Sequence, residues 1–180
     1  MRRFRFFTAD VFTTERFGGN QLAVLPDARG LTTEEMLAVT REFNYSESTF
    51  VLPPDDPAHT RKLRIFTPGG EVPFAGHPTV GTAFVLAAAG DVPLSGDETR
   101  IVFEEGVGPV PVTIRSTGGY PSFAELSVAK LPEVLAPLPP REELAAMLSL
   151  GADDLLDGVF HPQSVSCGLP FAFVPLRNRA

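Results

Sequence analysis

RIFTPGGEVPFAGHPTVG, residues Arg64 to Gly81, decides the reading of this chain. An alternating stretch, Arg64 to Phe66, reads as the end of a strand. Two glycines then mark a turn, and Gly76-His77-Pro78 stands where a helix should begin. The first N–H groups of a helix have no intrahelical acceptor and carry partial positive charge, so they favour an anion. A glycine at that point lets the main chain come close to a ligand. A proline in the first turn removes only a donor that had no partner. The stretch reads as a cradle for a carboxylate or a phosphate.

Downstream, Pro78 to Ala89 carries Val80, Ala83, Phe84, Val85, Leu86, Ala87 and Ala88 with almost no polar face. A helix apolar all round is buried, which places it at the centre of a domain, with Gly90 as its stop. Upstream, strands are expected at Phe4 to Phe12, Gln21 to Leu25, Ser48 to Leu52 and Lys62 to Phe66. A helix after Leu31 carries a capping box, Thr32 with Glu35, and a Leu31–Met36 staple. Its apolar side is Met36, Leu37, Val39 and Phe43. Further strands are expected at Arg100 to Glu104, Val110 to Arg115 and Ser122 to Val128. Four prolines between Leu131 and Pro140 read as a connection. A short helix, Glu142 to Leu150, is expected to stop at Gly151. Strands at Ser164 to Ser166 and Phe171 to Pro175 flank a Cys167–Pro170 turn. The domain reading is 1–129, then 130–180 as the beginning of an incomplete second domain.

Composition narrows the function classes. The chain has 180 residues, 43% hydrophobic and 21% charged, with sixteen Gly and eighteen Pro. That is the profile of a globular chain rich in turns. A net charge of −7 makes it a poor nucleic-acid binder. No apolar run reaches the length of a membrane span. The basic start MRRFRFF leads into a strand pattern and lacks a signal-peptide block, so a cytoplasmic protein is expected. The single Cys167 excludes an intrachain disulfide, and three widely spaced His give no metal-ligand spacing. Cys167 reads as a small buried filler, His59 and His161 as lone loop histidines. Glu104-Glu105 and Asp153-Asp154 read as solvated charges at element ends.

Four stretches together resemble the PhzF-like phenazine-biosynthesis family of the diaminopimelate epimerase superfamily. They are Asp10-Val11-Phe12-Thr13 with Phe17-Gly18-Gly19-Asn20-Gln21-Leu22-Ala23-Val24; Glu42 to Val51; Arg64 to Gly81; and Cys167-Gly168-Leu169-Pro170-Phe171. The resemblance implies an α+β fold of two pseudo-symmetric halves. In each, a mixed, mostly antiparallel sheet curls around a central hydrophobic helix, and the ligand lies at the helix N-termini. It implies a cofactor-independent, metal-free isomerase of biosynthetic metabolism, moving a proton on a small carboxylate-bearing substrate. It assigns catalysis to Glu47 and His77, and substrate binding to Gly76, Asn20, Thr67 and Ser46.

Moving a proton between carbons needs one group that removes it and returns it, and a carboxylate does so in dry surroundings. Glu47 precedes the apolar run Phe50-Val51-Leu52, which would supply them; otherwise it is a solvated glutamate before a strand. His77 at a helix start should stay neutral, and otherwise only caps the helix. Gly76 is a ligand contact or a tight packing turn. Asn20 after two glycines and Thr67 before Pro68 are ordinary turn and strand-end residues unless they hold the ligand. Cysteine-using epimerases of the superfamily carry a Cys where this chain has Ala75, which disfavours a Cys/Cys epimerase. A racemase would also want a second base facing Glu47, and none is evident. The family's second half carries an Asp-Pro-Ala-Thr-Gly-Ser type loop that these 180 residues lack. The alternative expectation is therefore a truncated or split non-catalytic chain retaining a ligand- or partner-binding surface. Its partner would be a second copy or a complementing C-terminal half.

Overall fold

The computed structural model describes residues 2–128, 131–167 and 170–178. The chain divides into two compact units, Met1–Ala129 and Lys130–Ala180. Among the described residues no helix is long and apolar enough to cross a membrane.

The first unit runs β1 (Phe7–Val11), β2 (Asn20–Leu25), α1 (Thr33–Phe43), β3 (Glu47–Leu52), β4 (Arg61–Thr67), β5 (Gly70–Val72), α2 (Gly76–Ala88), β6 (Glu98–Glu105), β7 (Gly108–Thr117) and β8 (Tyr120–Leu126). The sheet order is β1-β2-β3-β4-β6-β7-β8, with β5 paired to β4. Two neighbouring pairs, β2–β3 and β4–β6, are parallel, and the others are antiparallel. Parallel neighbours need a long crossover. Here α1 carries the first, and the second runs through β5 and α2.

The two helices lie on opposite faces. Strand alternation sends Leu22, Val24, Val51, Leu63 and Ile65 to a cluster with Val80, Ala83, Val85 and Leu86 of α2. Leu25, Phe50 and Phe66 meet Met36 of α1 on the other side. The expected capping box is formed: Glu35 N donates to Thr32 Oγ1, and Thr32 N donates to the Glu35 carboxylate. Helix α2 touches β1, β2, β3, β7 and β8. Since β1 and β8 stand at opposite ends of the strand order, the sheet curls around α2. Gly90, with φ +77°, follows the helix end.

Close approach of α2 to the sheet depends on Gly81. A Cβ there would lie 2.7 Å from both Leu22 Cδ2 and Val11 Cγ2. Behind it, the Thr82 hydroxyl lies 2.8 Å from that of Thr49 on β3, pinning helix to strand inside the core.

The second unit has a small core of Leu144, Ala145 and Leu155. Helix α3 (Arg141–Met147) follows β9 (Glu133–Val134), and β10 (Gln163–Ser166) pairs antiparallel with β9 and with β11 (Pro170–Phe173). Arg141 ties the unit together by donating to the carbonyls of Ala152, Leu155 and Leu156. The structure corrects three expectations here. The proline-rich stretch holds a short strand. Helix α3 ends before Gly151, with Ser149 at φ +59° just beyond it. Cys167 is exposed, just past the end of the half-buried β10. The Gly168-Leu169 turn lies outside the described residues.

Gly81→Ala tests the helix contact. Overpacking at this spacing should cost about 1–3 kcal/mol, read as a lower urea midpoint at unchanged m-value. An unchanged midpoint would contradict the close approach.

Candidate active site

Alternation along two adjacent strands brings the polar residues together. Asn20 shares the α2-facing side of β2 with Leu22 and Val24, and Glu47 shares that side of β3 with Thr49 and Val51. Glu47 stands beside Leu22 in the parallel register. It opens β3 and does not sit in a loop. Of the apolar run expected to dry it, only Val51 is on its face; Phe50 and Leu52 pack toward α1.

Across from β3, α2 begins at Gly76 and puts His77 in its first turn. Glu47 Oε2 lies 3.5 Å from His77 Nε2, with both side chains largely buried. Neither atom has a hydrogen-bond partner among the described residues. The other ring nitrogen, Nδ1, lies 3.2 Å from Asn20 Nδ2. Ser46 Oγ donates to Asn20 Oδ1 at 2.9 Å, which turns the Asn20 amide so that its NH2 faces His77. Nδ1 then accepts, and the single proton of a neutral ring sits on Nε2, directed toward Glu47. The ring is held neutral by burial. Desolvation pushes its pKa below the ordinary histidine value and outweighs the opposing pull of Glu47 and of the Gln21 backbone.

The helix start supplies donors. Ala75, the N-cap, makes no side-chain cap. Thr79 N donates to the Ala75 carbonyl, and Pro78 has no N–H. The N–H groups of Gly76 and His77 meet no protein acceptor among the described residues. A Cβ on Gly76 would touch nothing within 4 Å. Gly76 is therefore not held by tight packing, and its open side leaves room for a ligand. Thr67 has its hydroxyl engaged within its own turn, between β4 and β5: it donates to Gly70 O and accepts from Gly69 N.

Two residues read as solvated charges are not. Glu104 accepts from the N–H groups of Asp55 and Asp56 and pairs with His59 Nδ1, and these bonds hold its carboxyl down to about 2. His59 is thus a partnered loop residue. Glu105 is 8% exposed, and burial lifts its carboxyl to about 7 against the opposing hydrogen bond from Thr79. Adjacent acidic residues at a strand end carry no sequence signal for burial. The covering elements, α2 and the loop before it, are remote in sequence. Among the described residues no group of three or more His, Cys, Asp or Glu side chains converges as a metal site.

The model of the phenazine biosynthesis-like proteins, PhzC-PhzF, matches residues 9–180. The chain belongs to this family. A protein named as an isomerase in Mesorhizobium japonicum is 44% identical over 171 residues, covering 94% of this chain and 55% of that relative. The trans-2,3-dihydro-3-hydroxyanthranilate isomerase of Pseudomonas aeruginosa is 42% identical over 115 residues, covering 64% of this chain and 39% of the relative. The crystal structure of a PhzF-family phenazine biosynthesis protein from Bacillus anthracis superposes with a TM-score of 0.83 at 29% identity. That match covers 98% of this chain and 57% of the other. The chain thus spans about half the length of the relatives that it matches along most of its own sequence. The PhzF fold accounts for the curled sheet and the buried central helix.

Nitrogen-15 NMR of the His77 ring tests the electrostatics. The ring should be neutral at pH 6.5 with its proton on Nε2, and should titrate below the free-histidine range. A ring half-protonated at or above that pH would contradict the dominance of burial.

Proposed function

We propose that this PhzF-family chain holds a small carboxylate-bearing substrate at the start of α2 and moves a proton between two of its carbons. No cofactor or metal is assigned to the step. The single observation that carries the reading is the facing of Glu47 Oε2 and His77 Nε2 at 3.5 Å, both unpartnered, beside two free N–H groups.

In this reading the Gly76 and His77 N–H groups bind the substrate carboxylate through the partial positive charge of the helix start. Glu47 Oε2 takes a proton from an acidic C–H. The electron pair left behind spreads into the conjugated system of the substrate. The proton on Glu47 then returns to a different carbon, which restores the carboxylate and leaves the double bonds shifted. His77, neutral, offers its Nε2–H to the charge that develops on the substrate. Asn20 and Ser46 keep that tautomer in place. The relatives named trans-2,3-dihydro-3-hydroxyanthranilate isomerase point to a cyclic amino acid of that kind as the substrate class. Thr67 has no part in this scheme.

Wild type and Glu47→Gln are compared in deuterated water with trans-2,3-dihydro-3-hydroxyanthranilate. Loss of the base should lower deuterium uptake into carbon by about 10²-fold or more. Equal uptake by both proteins would remove Glu47 from the mechanism. The two free donors by themselves also support a narrower reading, a chain that holds a carboxylate without turning it over. Saturable binding with no deuterium uptake by wild type would favour that one.

A further inference from the structure

Glu105 ends β6 with its carboxyl buried, 8% exposed, and its Oε2 without a partner among the described residues. Its Oε1 lies 2.8 Å from Thr79 Oγ1. The same Oγ1 lies 2.8 Å from the Ala75 carbonyl oxygen. A threonine hydroxyl owns one proton, and a carbonyl can only accept. Both contacts are hydrogen bonds only if Thr79 donates to Ala75 and the carboxyl donates to Thr79. The arrangement therefore fits a protonated Glu105.

The consequence reaches the candidate site through one peptide plane. All peptide bonds among the described residues are trans, so the Ala75 carbonyl and the Gly76 N–H point in opposite directions. Holding the carbonyl inward on Thr79 aims the Gly76 N–H outward. The geometry points to Glu105, bearing its proton, as a positioning residue that orients this anion-binding N–H through Thr79 and Ala75. This inference rests on the reading that the start of α2 holds the substrate carboxylate.

The surroundings support it. The turn after Glu105 is pressed on the loop entering α2, since a Cβ on Gly106 would fall 2.7 Å from Pro73 Cα. Burial lifts the Glu105 carboxyl to about 7; the bond it accepts from Thr79 once ionised acts the other way, and no charged side chain contributes. Helix α2 bears only His77 as a titratable group. The Pro73–Ala75 loop has none. Strand β7 has Arg115, which pairs with Glu125. Strand β4 has Arg61, Lys62 and Arg64; Arg61 donates to the Thr60 and Asp91 carbonyls, Lys62 pairs with Asp55, and Arg64 pairs with Glu71. On β6, Arg100 pairs with Glu98, and Glu104 is held by the Asp55 and Asp56 N–H groups and His59.

Loss of the proton reverses the chain. An ionised Glu105 takes the Thr79 hydroxyl hydrogen, and two oxygen lone pairs then face each other at the Ala75 carbonyl. The peptide is then held by the Thr79 N–H alone, at 3.3 Å, and the Gly76 N–H is aimed less firmly. Carboxylate binding is thus strong below about 7 and weakens as pH rises through that value.

The test uses the whole chain with 3-hydroxyanthranilate, a stable aromatic carboxylate, as probe. Its Kd is measured from pH 5.5 to 8.5, alongside the Gly76 amide shift of the free protein. Wild-type affinity should fall by about fivefold across the range, the worth of one ordinary hydrogen bond. In Glu105→Gln the amide keeps a donor toward Thr79, so affinity should stay flat and exceed wild type at pH 8. Glu105→Ala should bind weakly at every pH. If it does not fold, the glutamine variant still decides. A glutamine variant that keeps the wild-type pH profile, or that binds as weakly at pH 5.5 as wild type does at pH 8.5, overturns the inference. Failure of every protein to bind the probe would count against the cradle itself. The Gly76 amide would still report on Glu105: a shift with a midpoint near 7 in wild type, absent in Glu105→Gln, supports the clamp, and an unmoved amide refutes it.

Discussion

The structure depends on one helix being enclosed by a single sheet. Ten of the thirteen residues of α2 are buried, and strands from both ends of the sheet order reach it. Enclosure gives the first unit most of its core and fixes where the helix begins. Because that start lies inside the curl and lacks a side-chain cap, its free N–H groups are directed at whatever occupies the space before it. The position of the candidate site follows from the same packing that makes the fold stable.

Enclosure also sets the protonation states. Burial acts on His77 and Glu105 in the same way, disfavouring charge: it lowers the pKa of the His77 ring and lifts the Glu105 carboxyl to about 7. Each is then tied to the helix start by a short polar chain. Ser46 and Asn20 orient the ring of His77, while Thr79 and Ala75 connect Glu105 to Gly76. Buried polar groups at this density are costly unless satisfied. Among the described residues four buried side-chain atoms are left unsatisfied, and two of them, Glu47 Oε2 and His77 Nε2, face each other.

Local signals were legible in the sequence. Thr32 and Glu35 read as a capping box because both partners lie within four residues. The apolar run of α2 read as buried because it has no polar face. The cluster of Asn20, Ser46, Glu47, Gly76 and His77 was named through family resemblance; alternation alone gives the parity of Glu47 but not its facing partner. Features that depend on distant contacts were hidden. Strand β5 is three residues in a glycine turn and exists only as a partner of β4. Glu104 and His59 are 45 residues apart and meet through the β4–β6 neighbourhood. Glu105 reads as a surface charge until α2 is laid over it. Cys167 reads as core only if a core is there to receive it.

The most direct measurement is a crystal structure of the chain with a bound cyclic carboxylate. The carboxylate oxygens should lie about 2.7–3.2 Å from the Gly76 and His77 nitrogens, with a ring carbon between Glu47 and the His77 ring. A ligand bound elsewhere, or a protein group capping those two nitrogens, would contradict the account.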